Sequence, residues 1–237
     1  MASATSPKKL LQKCAQPVCT KAIVVMAAQS LAEALHTGLL ELAGPAPDPQ
    51  QEAALLSYLA LLERWNQAYN LTAIKDPMQM VTRHLLDSLS VAPWIKGGPL
   101  LDAGTGAGLP GIPLAITRPG LEVTLLDSSG KKIRFLNHVR RELGLENILP
   151  VQERLESYSA ETRYQAIISR AFTNLASFAR AARHLAAAPS RLLAMKGRFP
   201  QDELEDLPAW IRIDSVEKLG VPGLQEDRHL VIMSVIA

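Results

Sequence analysis

Residues 100–111 read LLDAGTGAGLPG, and this stretch decides the fold class. An apolar pair and Asp102 are followed by four glycines, at positions 104, 106, 108 and 111. Glycine has no Cβ atom, so it allows left-handed torsion angles and lets a ligand come close to the backbone. One or two glycines would fit a simple tight turn. Four glycines directly after an apolar run predict a loop that binds a ligand.

Short apolar runs recur from residue 100 onwards and predict the strands of a sheet. Helical patterns separate the first five runs, and this alternation is typical of a parallel, doubly wound α/β sheet. The last two runs have no full helix between them and should form an antiparallel pair. The runs are LLDAG (100–104), VTLLD (123–127), NILPV (147–151), YQAIIS (164–169), RLLAMK (191–196), IRIDSVEKL (211–219) and HLVIMSVI (229–236). Helices are predicted over residues 110–118, 129–143, 153–158 and 172–187.

Helical signals dominate the chain before the first predicted strand. A first helix is expected over 27–43, and the acidic caps of Asp48-Pro49 and Asp76-Pro77 predict two further helix starts. These patterns divide the chain into a disordered N-terminal extension (1–25), a helical N-terminal subdomain (26–95) and an α/β domain (96–237).

Bulk composition is compatible with a cytoplasmic protein. The chain has 237 residues and a formal net charge of +2, which allows an acidic partner without requiring one. Cys14 and Cys19 have neither metal-ligand nor disulfide spacing, so we predict no metal site. No apolar run approaches the roughly 18 residues that a membrane span needs, and no membrane partner is predicted.

The glycine loop fits two patterns that belong to different cofactors. GxGxxG from residue 106 is the dinucleotide pattern, whereas DxGxGxG from residue 102 indicates S-adenosylmethionine. A pyrophosphate needs free amides at a helix N-terminus, but Pro110 and Pro113 have no amide proton. Asp102 would also bring negative charge to a pyrophosphate, whereas S-adenosylmethionine has no phosphate and carries cationic groups. We therefore favour S-adenosylmethionine, with an NAD-dependent oxidoreductase as the alternative.

Asp127 ends the second predicted strand and is a candidate for the ribose hydroxyls of the cofactor. An acid about 20 residues after the glycine loop has this role in nucleotide-binding folds. NAD and S-adenosylmethionine both contain such a ribose, so Asp127 does not distinguish between them.

Several stretches match one known family, in the order in which that family has them. They are WNQAYNLTAIKDP (65–77), RHLLDS (83–88), DAGTGAGLPGIPLAI (102–116), LLDSSGKKIRFL (125–136), LGLENI (143–148), ISRAF (168–172), MKG (195–197) and RHLV (228–231). In these stretches the chain resembles the bacterial 16S ribosomal RNA guanine-N7 methyltransferases, also called glucose-inhibited division protein B. The resemblance implies a Rossmann-like S-adenosylmethionine-dependent methyltransferase fold, with a mostly parallel seven-stranded sheet and an N-terminal helical extension. Residues 96–237 would be the methyltransferase domain.

The resemblance also implies a reaction and a set of cofactor contacts. The reaction is methyl transfer to N7 of guanine 527, in the decoding-region loop of 16S ribosomal RNA, with the RNA or the small ribosomal subunit as the partner. Separately, nothing in the sequence indicates an obligate interface between copies, so we predict a monomer. The implied cofactor-binding residues are Gly104, Leu109, Asp127, Leu155, Glu156 and Arg170.

The residues that are missing from the chain agree with methylation at N7. An exocyclic amine usually needs an Asn/Asp-Pro-Pro-aromatic loop after the fourth strand, where residues 169–172 read SRAF. Pyrimidine C5 needs a cysteine nucleophile, and both cysteines lie in the unmatched extension. Guanine N7 has an available lone pair and loses no proton, so we expect no general base and name no catalytic residue.

Polar and basic side chains near the predicted cofactor edge are candidates for RNA binding. Lys131 and Lys132 follow Asp127, although a charge run is usually a solvated helix face. Arg83 could likewise simply pair with Asp87 at i,i+4. The candidates are Asn70, Arg83, His84, Lys131, Lys132 and Lys196, and Arg170 could serve RNA instead of the cofactor. A non-catalytic RNA-binding domain with this fold is a further alternative.

Overall fold

A computed structural model of the chain describes residues 30–42, 48–161, 163–172 and 174–236, with the backbone alone at 187–189. The predicted disordered extension over residues 1–25 lies outside the described residues, as do both ends of the predicted first helix. Within the described part, no helix is long and apolar enough to cross a membrane.

One mixed sheet of seven strands organises the fold, in the order β3-β2-β1-β4-β5-β7-β6. Strands β1 to β5 run parallel to one another, and β7 runs antiparallel between β5 and β6. The predicted, mostly parallel doubly wound sheet with an antiparallel final pair is therefore confirmed. The strands are β1 (Leu100–Ala103), β2 (Val123–Leu126), β3 (Ile148–Val151), β4 (Tyr164–Ser169), β5 (Ala186–Lys196), β6 (Ile211–Lys218) and β7 (His229–Val235).

The helices begin where the sequence places caps. The carboxylates of Asp48 and Asp76 accept hydrogen bonds from the amides of Gln50 and Met78, at 2.7 and 2.9 Å. The helices are α1 (residues 30–41), α2 (Pro49–Tyr69), α3, α4 (Gly111–Thr117), α5 (Gly130–Glu142), α6 (Leu175–Ala182) and α7 (Gln201–Glu205). Helix α3 combines an α-helical turn (Pro77–Met80), a π-helical segment (Val81–Leu86) and an α-helical end (Asp87–Leu89).

Both faces of the sheet are buried, because alternate strand residues belong to two separate hydrophobic clusters. On β1, Leu100 lies in one cluster and Leu101 in the other. The Leu100 cluster contains residues of α1 to α5, and the Leu101 cluster contains residues of α6. The N-terminal helices therefore pack on the same face of the sheet as α4 and α5, which brings α2 and α3 beside the glycine loop.

Two predicted helices differ from the observed structure. Residues 153–158 form a single turn, in which the Tyr158 amide donates to the Arg154 carbonyl at 3.0 Å. Leu155 and Tyr158 are both buried in the Leu101 cluster, so tertiary packing holds this short stretch as a turn and not as a helix. The helix expected over 172–187 is confined to Leu175–Ala182, because β5 begins at Ala186, where it pairs with Tyr164 of β4.

Candidate functional site

The glycine loop after β1 is held from beneath by Asp102. This residue is fully buried, and its Oδ2 accepts hydrogen bonds from Thr105 Oγ1 at 2.6 Å and from the Gly111 amide at 2.8 Å. Burial raises the pKa of Asp102 to about 6, against the opposing effect of these hydrogen bonds. The Asp102 carboxylate therefore organises the loop from inside the protein.

The N-terminus of α4 has no free amide in its first turn. The Gly111 amide donates to Asp102, and the Ile112 amide donates to the Gly108 carbonyl at 2.7 Å. The two prolines of this turn carry no amide proton. Pyrophosphate binding at a helix N-terminus depends on such amides. The loop is therefore poorly suited to a dinucleotide.

Glycine is required at position 104, where the loop leaves β1. Gly104 has a φ angle of +71°, which is unfavourable for other residues. A Cβ atom at this position would also lie 2.8 Å from the Cβ of Ala171, in the segment after β4. The two segments can pack this closely only because residue 104 has no side chain.

A first cavity, which we call the Asp127 cavity, lies where β2 ends and the turn after β3 begins. Its volume is about 260 Å³. It contains four of the six predicted cofactor residues, which are Gly104, Asp127, Leu155 and Glu156. The helix predicted over 153–158 is absent, yet the turn that replaces it still carries Leu155 and Glu156 to this cavity.

Three donors already surround the carboxylate of Asp127. Its Oδ2 accepts from the Gly106 amide and from Lys132 Nζ, both at 3.0 Å, and its Oδ1 accepts from the Ser129 amide at 2.9 Å. Lys132 also lines the Asp127 cavity. The structure therefore places Lys132 with the predicted ribose acid, and not with the other candidate RNA residues.

A second cavity, the loop cavity, adjoins the first, since Gly104 and Ala171 line both. Its volume is about 210 Å³, and it contains the remaining two predicted cofactor residues, Leu109 and Arg170. Its other walls come from the glycine loop and from the N-terminal helical region, through Leu71, Thr72 and His84.

A third cavity, the basic cavity, shares His84 and Arg170 with the loop cavity. Its volume is about 330 Å³, and it brings together three candidate RNA residues, which are Arg83, His84 and Lys196. The others lie elsewhere: Lys131 Nζ donates to the Tyr69 carbonyl at 3.0 Å, next to exposed Asn70 at the end of α2. The three cavities together form a row at the carboxyl ends of the parallel strands.

The cations of the basic cavity pair with carboxylates that lie on other segments of the chain. Lys196 Nζ is 2.7 Å from Glu203 Oε2, and Arg83 pairs with Glu226. Asp87 pairs with both Arg170 and Arg228. The proposed i,i+4 pair of Arg83 and Asp87 is therefore wrong. Arg83 lies within the π-helical segment of α3 and Asp87 directly follows it, so the regular i,i+4 alignment between them is interrupted.

His84 lies between the loop cavity and the basic cavity, and it is 4% exposed. Its Nε2 hydrogen-bonds with Thr72 Oγ1 at 3.0 Å. Burial, together with the positive charge of Arg170, lowers the pKa of His84 to about 4. The imidazole is therefore neutral at neutral pH and cannot act there as a cationic phosphate ligand.

Tyr58 connects helix α2 to the glycine loop. Its hydroxyl is buried and donates to the Ala107 carbonyl at 2.9 Å. Burial raises the pKa of Tyr58 well above its usual range, so the hydroxyl stays protonated and able to donate. No sequence motif points to Tyr58, and its contact with the loop could not be identified without the fold.

Neither metal ligands nor a nucleophilic cysteine contribute to the described site. Within residues 30–42, 48–161, 163–172 and 174–236, no group of three or more His, Cys, Asp or Glu side chains could hold a metal ion. The chemistry available at the site consists of hydrogen bonding and electrostatics.

Comparison with known proteins gives the family. Residues 51–231 match the family model described as GidB, rRNA small subunit methyltransferase G. The chain belongs to the GidB family. The family resemblance inferred from the sequence is therefore confirmed.

Curated GidB proteins match this chain over nearly their whole length. The ribosomal RNA small subunit methyltransferase G of Alkalilimnicola ehrlichii is 52% identical over 206 residues, which is 87% of this chain and 93% of that protein. The protein of the same name from Salmonella arizonae is 49% identical over 195 residues, which is 82% of this chain and 94% of that protein.

Solved structures at low sequence identity share the GidB fold. An S-adenosylmethionine-dependent methyltransferase from Aquifex aeolicus has a TM-score of 0.53 at 20% identity, over 70% of this chain and 97% of that chain. The glycopeptide N-methyltransferase MtfA has a TM-score of 0.56 at 12% identity, over 68% of this chain and 100% of that chain. These similarities concern the fold alone, and they confirm the Rossmann-like methyltransferase class.

Proposed function

We propose that this chain transfers the methyl group of S-adenosylmethionine to N7 of a guanine in small-subunit ribosomal RNA, namely guanine 527 of the 16S decoding-region loop. The observation that carries the proposal is the row of three adjoining cavities, joined by Gly104 and Arg170. One end of the row suits an adenosine and the other end is lined by cations. Membership of the GidB family supports the reaction and the class of RNA.

The residues at the first two cavities fit S-adenosylmethionine, which supplies an electrophilic methyl group on a sulfonium. Asp127 would accept the ribose hydroxyls, and Leu155 and Glu156 would bound the adenine. Gly104 and Leu109 would let the amino-acid part approach the loop backbone. The first turn of α4 has no free backbone amide, and this supports S-adenosylmethionine over NAD, because S-adenosylmethionine has no pyrophosphate to be bound there.

The reaction itself needs positioning and no proton acceptor. The N7 lone pair forms a bond to the methyl carbon, and the electron pair of the breaking carbon–sulfur bond stays on sulfur. No proton leaves the guanine in this step, so we assign no general base among the residues that line the cavities. Holding two reactants in line can contribute about 7–11 kcal/mol.

The RNA would enter from the basic cavity, where we assign ionic contacts to Arg83 and Lys196 and a contact through the neutral imidazole to His84. We assign Asn70 and Lys131 to the rim at the end of α2, and Lys132 to the cofactor side. We further infer that the protein acts as a monomer in the cytoplasm, on 16S ribosomal RNA or the small subunit.

The deciding experiment is transfer of a tritiated methyl group to 16S ribosomal RNA from a strain that lacks this modification, followed by mapping of the labelled base. Label at N7 of guanine 527 is expected. Label on an exocyclic nitrogen would refute the chemistry proposed here. RNA binding without any transfer would favour a non-catalytic RNA-binding domain.

The oxidoreductase alternative is tested by isothermal titration with each cofactor separately. S-adenosylmethionine should bind, and NADH should not. The opposite result would overturn the assignment of the cofactor.

A further inference from the structure

Among the described residues that line the basic cavity, Asp87 is the one acid. Its side chain is 3% exposed, although it begins the last short turn of α3 at the cavity wall. Burying an unpaired carboxylate at such a depth would be strongly unfavourable, so Asp87 depends on positively charged partners.

Each oxygen of the Asp87 carboxylate contacts a different arginine. Oδ2 accepts from Arg170 Nη1 at 3.2 Å, and Oδ1 accepts from Arg228 Nε at 3.0 Å. Arg170 follows β4 and Arg228 precedes β7, so one carboxylate connects three segments that are far apart in the sequence. The side chains of Arg170 and Arg228 remain 30% and 20% exposed.

The two arginines have different neighbours on the cavity side. Arg170 lines both the loop cavity and the basic cavity, so it lies where a methyl donor and a target base would meet. Of the three cavities, Arg228 lines only the basic cavity. A guanidinium has five N–H donors, and Asp87 takes one from each arginine. The pair can therefore hold the carboxylate and still donate to a phosphate or a base.

We propose that Asp87 is a positioning residue, which fixes Arg170 and Arg228 in the orientation that receives the RNA beside the methyl donor. The inference rests on the proposed function. In this arrangement Asp87 touches neither RNA nor cofactor and acts only through the two arginines. Without its charge, the two guanidiniums repel each other and lose their fixed direction.

The test is a double-mutant cycle read as kcat/KM for RNA in methyl transfer. Asp87→Asn and Arg228→Ala should each lower kcat/KM roughly tenfold to a hundredfold, as expected for a lost orientation at a reacting centre. The double variant should be no worse than the more impaired single variant, because both changes break the same contact. For Arg228→Ala, which changes no predicted cofactor residue, affinity for S-adenosylmethionine without RNA should stay within about twofold of wild type, a result that general loss of structure would not give.

Arg83→Ala is the matched control, because Arg83 lines the same cavity and pairs with Glu226 instead. The fold reduction in kcat/KM caused by Arg83→Ala should multiply with the reduction caused by Asp87→Asn, because the two side chains make separate contacts. A wild-type kcat/KM for a folded Asp87→Asn variant, or multiplicative effects at Arg228, would overturn the inference. Absence of transfer by the wild-type chain would instead overturn the proposed function.

Arg228→Lys tests the same idea if Asp87→Asn does not fold. Lysine keeps the positive charge but has no Nε donor at the position that Asp87 contacts. The activity should stay as low as that of Arg228→Ala. Recovery to wild-type activity would mean that charge alone matters at this position and that Asp87 does not position the arginine.

Discussion

Lys132 illustrates how a single contact changes the interpretation of a residue. Sequence position made it a candidate for RNA, whereas its ammonium lies 3.0 Å from the acid that we assign to the ribose. A ribose hydroxyl that binds Asp127 competes with Lys132, and a cationic cofactor is repelled by it. We expect Lys132→Ala to bind S-adenosylmethionine several-fold more tightly than wild type in isothermal titration. Lys131→Ala is the control, and its affinity for S-adenosylmethionine should equal that of wild type. Weaker RNA binding by Lys132→Ala, with unchanged cofactor affinity, would mean that Lys132 is an RNA ligand after all.

Asp102 makes the stability of the protein depend on pH. Its pKa is about 6 in the folded protein, against 3.8 for an ordinary Asp. As the pH falls from 7 to 4, the folded state takes up a proton before the unfolded state does, so this residue favours folding increasingly. Asp102→Asn removes that gain, and the stability of wild type relative to the variant should rise by about 2 kcal/mol over this range.

Urea unfolding of both proteins at pH 4 and pH 7 measures the effect of Asp102. His84 titrates in the same range but is present in both proteins, so its contribution cancels. A difference between the two proteins that does not change with pH would show that Asp102 has an ordinary pKa.

Helix α2 supports the glycine loop through one hydroxyl. Tyr58→Phe removes the donor to the Ala107 carbonyl and leaves that carbonyl buried, which should cost about 1–3 kcal/mol of stability. Because the carbonyl belongs to the loop, affinity for S-adenosylmethionine should also fall. Thermal unfolding and isothermal titration measure the two effects. Tyr69→Phe is the matched control on the same helix, because the Tyr69 side chain is exposed. An equal loss of stability and cofactor affinity in Tyr69→Phe would contradict the role of Tyr58.

Elements with strong local signals could be predicted from the sequence, and elements fixed by tertiary contacts could not. The helix predicted over 129–143 is observed at Gly130–Glu142, because its apolar residues have helical spacing. The turn at 153–158 and the early start of β5 depend on pairing with other parts of the chain. The π-helical segment of α3 has no local signature that we recognised.

The candidate site shows the same division. Gly104 and Asp127 could be predicted because each follows a buried strand at a recognisable distance. Arg228 and Glu226 could not be assigned, because their partners lie far away in the sequence. Glu203 could not be assigned because only the fold turns α7 back towards Lys196 at the end of β5. Asp87 and Arg228, for example, are 141 positions apart. Only the fold brings such charges together.

At the scale of the whole molecule, the small net charge of +2 contrasts with the concentration of cations around the basic cavity. RNA binding should therefore weaken with salt, with a slope in log affinity of about 0.7 for each phosphate contact. Arg83→Ala should reduce the slope by about that amount. Arg141→Ala should leave it unchanged, because Arg141 lines a separate cavity near the end of α5. Filter binding over a range of salt concentrations measures the slopes, and an equal loss for Arg141→Ala would place RNA along α5.

The sharing of residues between neighbouring cavities also has a consequence for inhibitor design. A compound that joins an adenosyl group to a guanine through a short linker would occupy the Asp127 cavity and extend towards the basic cavity. Binding of the first group would raise the effective concentration of the second, so the affinity of the linked compound would exceed that of either part. Such a compound would also discriminate against enzymes that share only the methyl donor, because half of its contacts would belong to the RNA side.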